Sequence, residues 1–265
     1  MYQALSIAGY DSNGSAGLTA DLHTFFSLNV YGLGVLTSAV AENTQQITAA
    51  HDLPASFIHE ELTDAAEFHV GATKTGMLSN VATIQTVAHD YNPHDFGPLI
   101  VDPVILTKQE DRLLEPAALG AMKELIIPQA MVITPNYFEA QELVGKQFEN
   151  EADLQHAAHE IQSWGVPNIV IKGRHLTKQA TTVHDFVLLE NGTSFWLSHP
   201  IVKAKRLNGA GDSFAAAITA NLAKGNNVEQ AIRSAHQFVQ VAIAHPLSIA
   251  KHFGPLNYWA GQTGA

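Results

Sequence analysis

Leu207-Asn208-Gly209-Ala210-Gly211-Asp212-Ser213-Phe214 sets a glycine loop and one carboxylate directly ahead of an alanine-rich segment. Phe214, Ala217, Ile218 and Leu222 recur at helical spacing, and Gly225 stands where a C-terminal stop is expected, so the loop leads into a helix. Two glycines let a backbone turn tightly and converge several N–H groups, while the helix start adds roughly half a positive charge. Such a turn suits an anion. Asp212 at its end has two readings: an N-cap of the helix, or a proton acceptor beside bound anionic substrate. The loop alone does not separate them.

Upstream, short apolar strands alternate with helical patterns. Ala4 to Ala8 reads as a buried strand, Leu18 to Leu28 as an amphipathic helix with Leu18, Leu22, Phe25 and Phe26 inward, and Val30 to Thr37 as a second strand. Further strands are predicted at 70–73, 99–101, 131–133 and 168–171, with helices at 81–89 and 152–164 among them. Alternation of this kind predicts an α/β fold with a mostly parallel sheet covered on both faces. Residues 181–189 and 193–197, joined by Glu190-Asn191-Gly192, predict a hairpin that ends the sheet in antiparallel strands. A last helix is expected over Val228 to Ala244, stopped by His245-Pro246.

In parallel sheets ligands bind beyond the carboxyl ends of the strands. Those ends here carry Gly9-Tyr10-Asp11, Lys74-Thr75-Gly76, Asp102-Pro103-Val104, Thr134-Pro135-Asn136 and Lys172-Gly173-Arg174. Each alone is ordinary loop chemistry. Five polar strand ends together predict a site.

The 265 residues fit one large α/β domain spanning 1–265. Twenty-five acidic against 14 basic side chains, a formal net charge of −11, argue against a nucleic-acid partner. No run of about 18 apolar residues predicts a membrane span, and the N-terminus lacks a signal-type segment. The absence of cysteine excludes thiolate chemistry and suits a reducing, cytoplasmic setting. The 14 histidines are scattered, and the reading favours solvated surface residues over a dedicated metal site; His156 and His159 share helical spacing without a further nearby ligand.

The motifs in order resemble the ribokinase superfamily, in the branch of hydroxymethylpyrimidine (phosphate) kinases and bacterial pyridoxal or pyridoxine kinases. The matching segments run from Ser6-Ile-Ala-Gly-Tyr-Asp through Lys74-Thr-Gly-Met-Leu78, Val101-Asp-Pro-Val104, Ile133-Thr-Pro-Asn-Tyr-Phe-Glu-Ala140 and Ile171-Lys-Gly173 to Asn208-Gly-Ala-Gly-Asp212, with Phe253-Gly254-Pro255 beyond. The resemblance implies a ribokinase-like three-layer α/β/α sandwich, antiparallel strands at one sheet edge, and transfer of the ATP γ-phosphoryl group to a hydroxymethyl substituent on a small heteroaromatic ring. It implies that Gly209, Ala210 and Gly211 bind the transferring group and that Asp212 is the base. Asn136, Lys172, Gly173 and Asn208 then fall to the nucleotide. Asp102 and Glu139 fall to Mg²⁺, although Glu139 also reads as a first-turn helix residue. Gly9, Ala16, Asp21, Glu42, Met77 and Val104 fall to the ring, although Asp21 also reads as a solvated helix-face residue. Relatives are usually oligomers, which makes a homodimer the expectation.

Two positions depart from the pyrimidine-kinase pattern: it usually has cysteine at 212 and often glutamine at 42. Asp212 tips the expected substrate toward a B6 vitamer (pyridoxal, pyridoxine or pyridoxamine), with hydroxymethylpyrimidine or its phosphate as the alternative. A dehydrogenase fails because Phe214 occupies the third glycine position of a dinucleotide fingerprint. A Walker-type nucleotide hydrolase lacks its motif, and a catalytically silent sensor on this fold is disfavoured by the intact loop and Asp212.

Overall fold

The strand at Leu99–Val101 shows how this sequence builds its sheet: Leu99 and Val101 enter one apolar cluster, Ile100 the other, and all three are buried. A strand covered on both faces reads as a continuous apolar run rather than an alternating one. The computed structural model describes residues 1–106, 112–174, 181–201 and 208–260. Its strands are β1 (Gln3–Asp11), β2 (Tyr31–Glu42), β3 (Ile47–Asp52), β4 (Ala72–Thr75), β5 (Leu99–Val101), β6 (Ala130–Ile133), β7 (Asn168–Arg174), β8 (Thr182–Leu188) and β9 (Ser194–Pro200). They form one sheet in the order β3-β2-β1-β4-β5-β6-β7-β8-β9.

From β2 to β7 every neighbouring pair is parallel. The hairpin β8–β9 closes one edge antiparallel, as expected. The opposite edge departs from expectation, because β3 pairs antiparallel with β2 and places a reversed strand there too. Its residues are mostly exposed, so no buried apolar stripe announced it.

The helices are α1 (Gly17–Ser27), α2 (Ala55–Ala65), α3 (Val81–Asp90), α4 (Pro93–Phe96), α5 (Ala118–Ala121), α6 (Tyr137–Val144), α7 (Glu151–Gln162), α8 (Ala210–Ala223) and α9 (Val228–Ala244). Helices α2, α3, α6 and α7 bury Ile58, Ile84, Leu143 and Leu154 in the cluster on one face of the sheet. Helices α8 and α9 cover the other face, with Ile218 and Ile232 in its cluster, and α1 packs beside α8 through Phe25. Burying a side chain such as Phe25 contributes about 2 to 3 kcal/mol. Phe26, expected inward, is 75% exposed, since one residue further turns the chain about 100° around the helix axis. Among the described residues no helix is long and apolar enough to cross a membrane.

Candidate active site

Gly209 is the N-cap of α8 and sits in the left-handed region at φ +79°. A side chain is excluded there twice over: the backbone is one that L residues rarely adopt, and a Cβ would overlap the Ser15 carbonyl oxygen. No side chain among the described residues caps α8. Among the described residues its first amides meet no acceptor and can serve a ligand, and the 14-residue helix places its positive end there. Asp212 is not the cap; it lies in the first turn. Leu207, quoted with the loop, lies outside the described residues. Asn208 is held by two bonds, its N–H donating to the Gly254 carbonyl at 3.0 Å and its Nδ2 to Glu42 Oε1 at 3.1 Å.

Facing α8 is the turn after β1. Asp11 Oδ1 accepts from the Asn13 amide at 2.9 Å, and Oδ2 from the Ser15 and Ala16 amides at 3.0 Å each. Asp11 thus fastens residues 13–16, the turn against which Gly209 packs. Between them opens a cleft of about 440 Å³, within the range of small-ligand sites. Every predicted site residue lines it except Asp21.

The predicted ring residues Gly9, Ala16, Glu42, Met77 and Val104 share this cleft with the loop 209–212. A Cβ at Gly9 would stand 3.2 Å from Met77 Sδ, so glycine keeps that wall open. Glu42 is half-buried. Burial, and then the charge of Asp11, push its carboxyl up to about 7 despite the bond from Asn208.

Beyond the loop, Lys172 Nζ lies 3.0 Å from Asp102 Oδ1, which also accepts from the Thr134 hydroxyl at 3.2 Å. A Cβ on Gly211 would come within 3.2 Å of Lys172 Nζ, so this ammonium borders the glycine loop. Asn136 and Glu139 form a capping box at the start of α6: Asn136 Oδ1 accepts from the Glu139 amide, and Glu139 Oε2 from the Asn136 amide. Burial, and then repulsion from Asp102, push Glu139 up to about 8. Gly173, at φ +82°, donates its N–H to Asp185 Oδ1 at 2.7 Å.

Asp21 is fully buried and does not reach the cleft. Its two oxygens accept from Lys74 Nζ at 2.8 Å each, and Oδ2 also from the Ser6 hydroxyl at 2.5 Å. Ser6 and Lys74 are register partners on β1 and β4, and α1 brings Asp21 onto them. Lys74 Nζ is also 3.7 Å from Asp212 Oδ1. Burial pushes the Lys74 ammonium down, but Asp21, Asp212 and Asp102 outweigh it and hold the group charged. Sequence reasoning quoted Lys74 only as part of a strand-end motif. The available signal was its place in the interior of a buried strand, where a lysine requires a carboxylate partner.

Comparison with known proteins decides the class. The phosphomethylpyrimidine kinase family profile matches residues 11–257. The chain belongs to that family. It is a kinase, an ATP-dependent phosphotransferase with an alcohol acceptor. A hydroxymethylpyrimidine/phosphomethylpyrimidine kinase of Haemophilus influenzae is 38% identical to it over 97% of both chains. A Bacillus subtilis pyridoxal kinase solved with ADP superposes with a TM-score of 0.89 at 34% identity, covering 99% of both chains. A Staphylococcus aureus pyridoxal kinase solved with AMP-PCP and pyridoxal gives 0.88 at 31% identity, covering 98% of this kinase and 94% of that chain. The family, the sandwich fold and the phosphotransferase class expected from sequence all agree with these relatives.

Proposed function

We propose that this kinase phosphorylates the hydroxymethyl group of a hydroxymethylpyrimidine, and the corresponding phosphate, at the expense of ATP. This reverses the order expected from Asp212 alone. The relative matched over 97% of both chains carries pyrimidine kinase activity in its name. The observation that carries the reading is Glu42. A carboxyl raised to about 7 is half protonated near neutral pH, and a protonated carboxyl offers one donor and one acceptor side by side. An aminopyrimidine edge presents the complementary pair, a ring nitrogen and an exocyclic amine. A glutamine amide would do the same, which explains how glutamate stands where relatives often have glutamine.

The parts then follow. Asp212 takes the proton of the substrate hydroxyl as its oxygen bonds to the γ-phosphorus, the bond from that phosphorus to the β–γ bridging oxygen breaks, and ADP leaves. The free amides of Ala210, Gly211 and Asp212 face the charge on the transferring group, and one such donor is worth about 3 kcal/mol in barrier. Lys172, bordering the loop, adds a positive charge to the same phosphates. Lys74 keeps an ammonium 3.7 Å behind Asp212 Oδ1. Asp102 and Glu139 fit a divalent cation, since they are two buried carboxylates lining the same cleft, and burial first and then the charge of Asp102 push Glu139 up. Together with Asn136 they would hold a partly hydrated Mg²⁺, which supplies neutralisation of phosphate charge when bound.

A second reading, a pyridoxal kinase, is favoured by the two solved relatives and by aspartate at 212. ADP release measured with hydroxymethylpyrimidine, its phosphate, pyridoxal, pyridoxine and pyridoxamine separates the two. The proposal expects the highest kcat/KM on a pyrimidine; a higher value on pyridoxal selects the second reading, and turnover of none sinks both.

A further inference from the structure

The hairpin β8–β9 and helix α9 bring together three metal-ligating side chains that the phosphoryl transfer does not use. In the ladder, Val183 pairs with His199 and Asp185 with Leu197, so Asp185 and His199 are diagonal neighbours on one face of the sheet. That face is the one on which Val187 and Leu197 join the cluster under α8 and α9. On α9, His236 precedes Val239, Gln240 and Ile243 at helical spacing, and all four line the cleft. Residues far apart in sequence thus meet on one cleft wall, contrary to the reading of the histidines as solvated surface groups.

One ligand atom from each of Asp185, His199 and His236 lies within 4.8 Å of the other two. The two imidazoles are tilted by 57° with centroids 5.5 Å apart, so they are not stacked on each other. Zinc-class ligands at about 2.1 Å in a tetrahedron stand about 3.4 Å apart, a closure that rotation of the histidine side chains can supply. A second observation points the same way: His236 Nε2 is buried and, among the described residues, without a hydrogen-bond partner. Buried polar atoms are normally satisfied, and an orphan one requires an explanation. Asp185 is buried, with Oδ1 fixed by the Gly173 amide at 2.7 Å, the outer-shell bond that orients a ligating carboxylate.

We propose that Asp185, His199 and His236 bind one divalent transition-metal ion of the zinc class, with a coordination position open to the cleft. Two imidazoles and one carboxylate favour such an ion over Mg²⁺, whose oxygen donors Asp102 and Glu139 are a separate set. The proposal stands on these three residues and does not depend on which ring the kinase phosphorylates.

Tag-free protein, stripped with a chelator and kept in excess Mg²⁺ to fill oxygen-only sites, is titrated with Co²⁺ as the spectroscopic probe and with Zn²⁺ by calorimetry. The expected result is one equivalent of Co²⁺ with strong visible bands, displaced by Zn²⁺. His199→Gln and His236→Gln should each weaken binding by a factor of about 10 or more. Their metal-free circular dichroism should remain that of the parent chain, showing that the fold persists. His156→Gln, on the exposed face of α7, should bind as the parent does. Absence of stoichiometric bands, or binding that survives both substitutions at His199 and His236, overturns the site.

Discussion

Removing the ammonium of Lys74 tests the buried charge arrangement most directly. At 2.8 Å its attraction to Asp21 amounts to about 6 kcal/mol at an effective dielectric of about 20, most of which is cancelled by the cost of taking both charges out of water. Lys74→Met loses the attraction but leaves Asp21 in place, with the Ser6 hydroxyl as its remaining named partner. Breaking one side of a buried pair typically costs about 3 to 5 kcal/mol. Asp21 has a way to reduce that loss, because burial already pushes its carboxyl up to about 7 and it can take a proton. The cost should therefore reach about 3 kcal/mol at pH 8 and be distinctly smaller at pH 6. Urea unfolding followed by circular dichroism at the two pH values reads it as a shift in midpoint at constant m. The double change Asp21→Asn with Lys74→Met removes the stranded charge and should recover part of the loss, a coupling that a double-mutant cycle measures. A loss under about 1 kcal/mol at pH 8, or the same loss at both pH values, would refute the reasoning.

Asp212→Asn should lower kcat by about 10² to 10⁴ while nucleotide affinity, measured by calorimetry, stays within a few fold; unchanged turnover would remove Asp212 as the base. Gly209→Ala should abolish most turnover and lower the melting temperature, because its Cβ would overlap the Ser15 carbonyl oxygen at a positive φ; a fully active, equally stable variant would show that the loop is not so constrained. In metal-free protein, stability should fall between pH 6.5 and 8. Glu139 at about 8 and Glu42 at about 7 keep protons that their unfolded counterparts, at 4.5, have already lost, so the unfolded state gains as pH rises through the folded values. His23 and His236, pushed down by burial, act oppositely, but their unfolded value of 6.5 confines that effect to lower pH. Glu139 alone accounts for about 2 kcal/mol, and a melting temperature that is flat or rising over this window would contradict the raised values.

What could be read from sequence was what depends on local pattern. Leu99–Val101 and Val228–Ala244 fall where expected because a continuous apolar run and a capped helical stripe each declare themselves within a few residues. β3 did not, being a largely exposed edge strand held by pairing with β2. The same division holds in the site. The glycine loop and Asp212 were legible as a motif. Asp21 looked like a solvated position on a helix because its partner Lys74 is 53 residues away, and only the register of β1 against β4 brings them together. Asp185, His199 and His236 carry no spacing signal at all, since their meeting depends on a hairpin diagonal and a helix from another part of the chain.

The bond from Asn208 Nδ2 to Glu42 Oε1 joins two lining residues of the cleft across 166 residues of sequence. In the proposed function Asn208 adjoins the turn that would receive the transferring phosphoryl group, and Glu42 would read the ring. On that proposal substrate choice and reaction speed are coupled traits. An exchange at position 42 that welcomes a different vitamin also releases the amide that steadies the phosphate turn. A lineage changing its substrate must then readjust residue 208 in concert, which makes 42 and 208 the pair to vary together when redirecting this scaffold.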